Sequence, residues 1–358
     1  MTDRALVAMS GGVDSSVAAL LLTRAGYDCV GAMMKLFENE DVGANWERGC
    51  CALESVGDAE GAARSLDMPF YVYNCAEEFR LCVMDRFAAD YERGTTPNPC
   101  VECNRALKFG VLREKADSLG CRYIATGHYA RVERAPGGGR LLLRRGTDTA
   151  KDQSYVLYFM TQEQLSGALF PLGELTKPQV RQLAIEHGFA NAQKRESQDI
   201  CFVRGGGYAG FIEAHTGKRY PPGPFVDSRG GYLGSHGGII RYTVGQRRGL
   251  GSHPGGKMYV TSVRADENTV VLGRDDELYT KSLTASDINI IPYDRLDGAL
   301  RVTAKIRYSH EAQPATARQT GPDELRVEFD LPQRAITPGQ AVVLYDGDIV
   351  IGGGTIVG

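Results

Sequence analysis

In the first third of the chain, short apolar runs alternate with segments whose apolar residues recur at helical spacing. Ala5–Met9 predicts a buried strand, and Ser15–Arg24 places Val17, Leu20 and Leu21 on one helical face. The same order continues with strands at Cys29–Leu36, Phe70–Tyr73 and Tyr123–Thr126, and with helices at Glu54–Leu66, Glu77–Tyr91 and Ala106–Leu119. This alternation predicts an α/β fold with a doubly wound parallel sheet.

Beyond this region the pattern changes twice. A hairpin turning at Pro136–Gly139 and helices at Gln162–Leu169 and Pro178–His187 come first. Around Gly205, Gly and Pro become dense, and the predicted elements are strands at Ile239–Val244, Met258–Val263 and Val270–Leu272. After Ser282, alternating runs predict a small β-barrel with strands at Leu300–Tyr308, Ala315–Arg318, Leu325–Phe329, Ala341–Tyr345 and Ile349–Ile351. We therefore expect three domains, at residues 1–204, 205–278 and 279–358: α/β, small central β-rich, and C-terminal β-barrel.

Composition favours a globular protein of the cytoplasm. The chain has 358 residues, of which 42% are hydrophobic and 24% charged. No apolar run approaches the roughly 20 residues that span a bilayer, and the N-terminus lacks the apolar run of a signal peptide. Nine cysteines in a reducing compartment do not predict a disulfide framework. Cys29, Cys75 and Cys121 lie in or beside apolar runs, which predicts buried thiols.

The net charge of −3 excludes a uniformly basic nucleic-acid-binding protein, but the charges are unevenly distributed. Residues 228–265 contain no Asp or Glu, and their cations are Arg229, Arg241, Arg247, Arg248, Lys257 and Arg264. Two interpretations are open. The segment is either a loop-rich surface with a chance gap in acidic residues or a contact region for a phosphate backbone.

The sequence SGGVDSS at Ser10–Ser16 predicts a phosphate-binding loop, because it follows a strand and opens a helix. Its glycines allow close approach of an anion, and the free amides at a helix start attract phosphate. The pattern differs from the Walker and dinucleotide motifs. Asp14 could cap the helix or hold magnesium. Met34 lies at the end of the second predicted strand and Gly127 just past the strand Tyr123–Thr126, so we expect both at the carboxyl edge of the sheet.

Two segments carry cysteines suited to chemistry. In Thr96–Asn104, two prolines precede a Cys-x-x-Cys pair, and a helix predicted to start near Asn104 would place Cys103 at its N-terminus and favour thiolate. A thioredoxin-like dithiol is another interpretation of this pair. Cys201 lies in Ser197–Phe202, between the α/β and the Gly-rich parts, where it could face a cleft or be a structural thiol.

Six motifs, SGGVDSS, TPNPxxxCN, ATGHYA, KDQSYVL, SQDICF and GQRRGLG, occur in this order along the chain. With them the sequence resembles the bacterial tRNA-specific 2-thiouridylases (MnmA/TrmU family), which belong to the PP-loop ATPase superfamily. The resemblance implies a PP-loop domain and an ATP-dependent tRNA sulfurtransferase. Such an enzyme adenylates the 2-oxygen of the wobble uridine and replaces that oxygen by sulfur, giving 2-thiouridine.

The resemblance also implies ligands and partners. ATP with Mg²⁺ would be the cofactor, tRNA with Lys, Glu or Gln acceptor identity the substrate, and an upstream sulfur carrier or cysteine desulfurase the sulfur donor. The positions implied to bind ATP are Ala8, Met9, Ser10, Gly11, Gly12, Val13, Asp14, Ser15, Met34 and Gly127. Those implied to bind tRNA are Asn98, Pro99, Cys100, His128, Lys151, Asp152, Gln153, Arg307, Tyr308 and Gln340.

By the same resemblance, Cys201 would carry a persulfide, and Cys103 would be the second catalytic cysteine, forming a disulfide with Cys201 after sulfur release. Many family members have Asp where this chain has Cys100. Cys100 is therefore either a residue beside the target base or, with Cys103 and Cys201, a ligand of a 4Fe-4S iron–sulfur cluster. Both interpretations stay open at this point.

Alternative functions explain fewer of these features. Another PP-loop tRNA thiolase or an adenylating ligase would account for the loop, but a ligase leaves the three cysteines unexplained. A non-catalytic RNA-binding protein would account for the basic segment and not for a complete ATP loop. A redox or metal-storage protein would not need that loop either.

Overall fold

The structure, a computed structural model, describes residues 2–37, 53–194, 200–203, 207–252 and 256–358. The chain forms two compact units. The first comprises Met1–Val83, Cys100–Phe202 and Asp348–Val350, and the second Met84–Pro99, Val203–Gly347 and Ile351–Gly358. The predicted boundary between residues 204 and 205 lies outside the described residues, so the division into three domains stays a prediction.

The helices are short and lie mostly in the first half of the chain. They are α1 (Val13–Arg24), α2 (Leu53–Ser65), α3 (Ala76–Phe79), α4 (Asp85–Glu92), α5 (Pro99–Glu102), α6 (Leu112–Ser118), α7 (Gln162–Ser166), α8 (Lys177–Glu186) and α9 (Gly207–Thr216). π-Helical turns join α3 to α4 at Arg80–Met84 and α5 to α6 at Cys103–Val111. Within the residues described, no helix has the length and apolar character needed to cross a membrane.

The first unit is built on a parallel sheet. Its strands are β1 (Arg4–Ala8), β2 (Asp28–Lys35), β3 (Phe70–Asn74), β4 (Tyr123–Ala125), β5 (Ala130–Arg134), β6 (Leu141–Arg145) and β7 (Ala168–Leu169). Five of them form the sheet in the order β3-β2-β1-β4-β7, with parallel pairing throughout. The central strand β1 is buried along Ala5–Val7, as expected for a strand covered on both faces. The carboxyl ends of the strands therefore form one edge.

A hydrophobic cluster joins α1, α2 and α8 to this sheet. It includes Val17 and Leu20 of α1, Ala63 of α2 and Val180 of α8, all buried. The predicted helical spacing in α1 is thus used to bury one face. Strands β5 and β6 form the predicted hairpin, and Ile349 pairs with Arg144 of β6.

The described strands of the second unit form two assemblies, in which most pairs are antiparallel. Its strands are β8 (Gly223–Val226), β9 (Tyr232–His236), β10 (Tyr259–Arg264), β11 (Thr269–Gly273), β12 (Tyr279–Ile290), β13 (Ala299–Lys305), β14 (Gln313–Gly321), β15 (Glu324–Arg334), β16 (Ala341–Asp346) and, from Ile351 onward, β17 (Ile349–Ile356). Strands β10-β11-β8-β9 form one sheet, in which only the β8–β11 pair is parallel. Strands β12-β15-β14-β13-β16-β17 close into a barrel through β12–β17 pairing. The predicted α/β fold, β-rich middle and C-terminal barrel are confirmed.

Several predicted elements are wrong in detail. Ile239–Val244, predicted as a strand, contains a 3₁₀ turn at Ile239–Arg241, because Gly238 turns the backbone with a φ of 107°. Helix α9 was not predicted, since its sequence GYAGFIEAHT contains two glycines, which are poor helix formers. The predicted helix Gln162–Leu169 ends at Ser166, and its last two residues form β7.

Candidate active site

The SGGVDSS segment forms the predicted strand–loop–helix. The amide of Met9 donates to the carbonyl of Ala32 in β2 at 2.8 Å, and the loop then turns to Gly12, the N-cap of α1. Gly11 has a φ of 71°, and a Cβ at this position would overlap the carbonyl oxygen of Ser55 and lie 2.8 Å from its carbon. Glycine is therefore required at residue 11 both by the backbone conformation and by the approach of α2.

Serine hydroxyls hold the loop against the start of α1. The Ser15 hydroxyl accepts a hydrogen bond from the Ser10 amide at 3.2 Å and donates to the Gly12 carbonyl at 2.9 Å. The Ser16 hydroxyl also donates to this carbonyl, at 3.2 Å. First-turn amides of a helix have no intrahelical acceptor, and the helix dipole favours an anion near them. The arrangement is thus suited to bind phosphate.

Asn191 is a loop residue that the sequence did not indicate. Its side-chain amide, 4% exposed, donates to the Gly11 carbonyl at 3.1 Å and to the Ser16 hydroxyl at 3.0 Å. Three residues later, Lys194 donates to Ser55. These residues follow α8 and lie far from the loop in sequence, so only the folded chain shows their role. Asn191 and Lys194 thus stabilise the conformation of the loop through contacts with Gly11, Ser16 and Ser55.

Asp14 lies in the first turn of α1 and is paired with a lysine. The Lys177 ammonium donates to its two carboxylate oxygens at 2.8 and 2.9 Å, and the Tyr129 hydroxyl donates to one of them at 2.9 Å. Neither Lys177 nor Tyr129 was expected at this site. Because a cation already occupies both oxygens, Asp14 as placed does not fit a magnesium ligand.

Met34 and Gly127 lie near the carboxyl ends of β2 and β4, as predicted. A Cβ at residue 127 would lie 2.9 Å from the carbonyl carbon of Asp14 and 3.0 Å from the Ser15 amide nitrogen. We expected the missing side chain to admit a ligand. The structure shows that it admits the start of α1, which packs directly on the end of β4.

The Cys-x-x-Cys segment is more helical than expected. Helix α5 begins at Pro99, which suits the first position of a helix, so Cys100 rather than Cys103 lies in the first turn. Cys103 opens the π-helical turn, a conformation common at functional sites. Asn104 is not an N-cap: it is buried and donates to the carbonyl of Val156 at 3.2 Å. The helix therefore begins at Pro99, before both cysteines, and not near Asn104.

The segments that carry Cys103 and Cys201 both contact α3. The buried rings of Phe79 in α3 and Phe202 pack edge to face, 5.6 Å apart. Helix α3 also packs against the π-helical turn that begins at Cys103. Cys103 and Cys201 are both partly exposed. Residues 197–199, which precede Cys201 in the SQDICF motif, lie outside the described residues.

The part of the chain that the structure describes contains no ligand set for a metal. Across the described residues, no three His, Cys, Asp or Glu side chains are placed to hold a metal ion. Cys100, Cys103 and Cys201 as placed therefore do not fit an iron–sulfur cluster. The predicted buried thiols are confirmed at Cys29, Cys75 and Cys121. Burial raises the pKa of Cys75 to about 11, which keeps it protonated and unreactive.

Three residues implied to bind tRNA in the first unit have structural contacts. His128 is only 6% exposed, its Nδ1 lies 2.7 Å from the Thr126 hydroxyl, and it packs beside Phe109. Burial is the main cause that lowers the pKa of His128 well below its usual value, so the ring is neutral. The His128 ring is thus held in a buried contact with Thr126 and Phe109. The Asp152 carboxylate accepts hydrogen bonds from the Gly146 and Ser154 amides. The Gln153 side-chain oxygen accepts a hydrogen bond from the Tyr129 amide.

In the second unit, Gln340 and Tyr308, both implied to bind tRNA, lie beside other groups that could contact RNA. The Gln340 amide donates to the carbonyls of Thr96 and Pro97 at 2.9 and 3.2 Å, directly before Asn98. Tyr308 is 44% exposed, with the Lys305 ammonium 5.7 Å from its ring centre. An exposed aromatic ring beside a cation can stack on a nucleic-acid base.

Family models and full-length relatives match this chain. Models described as tRNA methyl transferase HUP domain, tRNA methyl transferase PRC-barrel domain and aminomethyltransferase beta-barrel domain match residues 3–205, 209–274 and 280–356. The tRNA-specific 2-thiouridylase MnmA of Lachnoclostridium phytofermentans is 49% identical over 355 residues, 99% of each chain. The chain belongs to the tRNA-specific 2-thiouridylase family. The 2-thiouridylase of Clostridioides difficile, 48% identical over 99% of this chain and 98% of its own, agrees with this membership.

A remote structural likeness exists to a 4-thiouridine synthetase solved in complex with RNA and ATP. It covers 56% of this chain and 44% of that chain, with 17% identity and a TM-score of 0.39. A likeness this distant supports no argument about the 2-thiouridylase site.

Proposed function

We propose that this chain is an ATP-dependent tRNA 2-thiouridylase that replaces the 2-oxygen of the wobble uridine by sulfur. The observation that carries the proposal is the phosphate-binding loop before α1, present in one unit with two partly exposed cysteines, Cys103 and Cys201. The loop supplies a site for ATP, and the thiols supply nucleophiles. Full-length similarity to 2-thiouridylases supports this combination.

The loop would bind the phosphates of ATP through the amides at the start of α1. Attack of the uridine 2-oxygen on the α-phosphate releases pyrophosphate and leaves AMP on that oxygen, which makes it a good leaving group. We assign magnesium to the phosphates of ATP, because the carboxylate of Asp14 is held by Lys177. The ATP-binding positions implied by the family remain Ala8–Ser15, Met34 and Gly127.

The sulfur would arrive as a persulfide on Cys201, loaded by an upstream donor such as a cysteine desulfurase. Its terminal sulfur attacks C2 of the uridine and expels AMP. The Cys103 thiolate then attacks the Cys201 sulfur, which breaks the S–S bond, frees the thiouridine and forms a Cys103–Cys201 disulfide that a cellular dithiol reduces. The proposed sulfur transfer uses no iron–sulfur cluster, because the described cysteines do not form a ligand set for one.

We propose tRNA with Lys, Glu or Gln identity as the substrate, and hence a cytosolic site of action. Asn98 and Cys100 would flank the base, and Lys151, Arg307, Tyr308 and Gln340 would contact the tRNA. The division into domains 1–204, 205–278 and 279–358 is supported by the spans of the three family models.

The family models name methyl transfer, whereas the full-length relatives are 2-thiouridylases, and mass spectrometry separates the two activities. The protein is incubated with tRNA, ATP and a persulfide donor, and the digested nucleosides are analysed. We expect uridine to gain the mass difference between sulfur and oxygen, only when ATP is present. A methyl group gained from S-adenosylmethionine, without ATP, would contradict the proposal. The same preparation, purified anaerobically, should thiolate without bound iron.

Binding of tRNA should fall steeply with salt, and part of this dependence should come from residues 228–265, which contain no Asp or Glu. Arg247 and Arg248 are exposed, and neither has an ion pair with another described residue. Changing both to Gln should weaken tRNA binding and reduce the slope of log K against log salt by about 2, one for each lost phosphate contact.

The matched control is Arg264→Gln, because Arg264 already pairs with Glu267 at 3.4 Å. This change should leave the slope within error of the unmodified protein. An unchanged slope in the Arg247→Gln/Arg248→Gln protein would remove these residues from the tRNA interface.

A further inference from the structure

The buried cation of Lys177 contacts Asp14 in the first turn of α1, which follows the phosphate-binding loop. The ammonium of Lys177, whose residue is 7% exposed, contacts both oxygens of Asp14 and lies 6.0 Å from the centre of the Tyr129 ring. Tyr129 also donates its hydroxyl to Asp14. The Asp14 carboxylate is therefore held on both oxygens by groups from two other parts of the first unit.

The backbone of Lys177 is fixed as firmly as its side chain. Lys177 is the first residue of α8, and its amide donates to the Asp148 carboxylate at 2.9 Å. Thr176 and Gln179 form a capping box around the same helix start. Lys177 is thus anchored at its amide and at its ammonium, and it cannot follow a ligand without breaking one of these contacts.

The position of Asp14 creates an electrostatic conflict that Lys177 resolves. Asp14 is the second residue of α1, within the turn whose amides would receive the triphosphate. A bare carboxylate at this place would repel phosphate, and its partial burial would limit screening by salt. An ammonium bound to both oxygens cancels that charge, so the amides and the helix dipole determine the field that the phosphates meet.

From this geometry we propose that Lys177 is a positioning residue of the ATP site, which neutralises Asp14 and thereby makes the loop receptive to a triphosphate. The inference rests on the proposed function, because it takes the loop to bind ATP. It assigns Lys177 a role through Asp14 and no contact with the nucleotide.

The test compares ligands of decreasing charge. Binding of ATP, AMP and adenosine to the full-length protein is measured by calorimetry for the unmodified chain, for Lys177→Met and for the double variant Asp14→Asn/Lys177→Met. We expect Lys177→Met to weaken ATP binding by about tenfold or more, AMP binding less and adenosine binding least, because repulsion scales with phosphate charge. The double variant should recover most of the lost ATP affinity, since no unpaired carboxylate remains.

Arg122→Met is the matched control. Arg122 pairs with Asp3 at 3.4 Å, and these residues precede β4 and β1, at the sheet edge opposite the loop. Loss of the Arg122 guanidinium should leave the affinities for ATP, AMP and adenosine unchanged.

Three outcomes separate the explanations. Equal loss for ATP and adenosine in Lys177→Met would show a purely structural role and overturn the inference. A double variant that stays as weak as Lys177→Met would show direct contact of Lys177 with phosphate and also overturn it. Failure of the unmodified chain to bind ATP would instead overturn the proposed function itself, and the inference with it.

Discussion

Replacing Cys201 by serine is expected to reduce tRNA thiolation to background while ATP and tRNA binding stay unchanged. A serine oxygen cannot carry the sulfane sulfur of a persulfide, so the donor has no place to load this chain. The residue is partly exposed and lies beside Phe202, whose ring packs on Phe79, so a change of one atom should not disturb the fold. The measurement is the yield of 2-thiouridine after nuclease digestion, together with the affinities for ATP and tRNA.

Cys82→Ser is the matched control, because Cys82 is an exposed free thiol in the same unit to which we assign no chemistry. It should thiolate at the rate of the unmodified chain. Turnover in Cys201→Ser would contradict the assignment of the sulfur carrier. Loss of activity in both variants would show that exposed thiols matter for another reason, such as stability in the assay, and would also count against the assignment.

The phosphate-binding loop could be predicted because every part of its signal is local. A buried strand, two glycines and a helix start are adjacent in sequence, and each has a physical reason that operates within a few residues. The structure has them in that order, from β1 through Gly11 and Gly12 to α1. The same holds for β2 and for the β5–β6 hairpin, whose turn sequence is distinctive.

The support of that loop could not be predicted, because its residues are distant in sequence and have ordinary surroundings there. Lys177 follows a helix-capping threonine and Asn191 lies in a loop, and neither position carries a pattern that indicates a partner in α1. For Asp14, the sequence left helix capping and magnesium binding open, and neither anticipated an ion pair with Lys177. Long-range pairing of this kind becomes visible only when the sheet brings α1 and α8 together.

For the cysteine segment, the sequence carries a local signal for an earlier helix start. Proline is favourable at the first position of a helix, and Pro99 begins α5. A helix start near Asn104, expected because prolines disrupt regular structure, is five residues too late, so the expected position of Cys103 at the helix N-terminus is wrong. Cys103 instead follows α5 directly and begins the π-helical turn, which packs against α3.

Replacing Gly11 by alanine is expected to destabilise the protein by about 2–5 kcal/mol and to abolish measurable ATP binding. Residue 11 has a φ of 71°, which costs L-residues free energy, and the added Cβ would overlap the Ser55 carbonyl at the start of α2. The loop can relieve this overlap only by moving away from α2, which would break the hydrogen bond from Asn191 to the Gly11 carbonyl. Urea unfolding of the ligand-free protein measures the first effect, and calorimetry with ATP measures the second.

Gly12→Ala is the control that makes this prediction sharp, because it adds the same methyl group one residue later. Gly12 has a φ of −91°, which any residue can adopt, and its Cβ would meet only the Ser10 hydroxyl at 3.4 Å. Alanine at this N-cap should cost about 1 kcal/mol or less. Unfolding of the two variants at the same urea concentration would contradict this prediction. It would show that the close packing of the loop on α2 does not require glycine at residue 11.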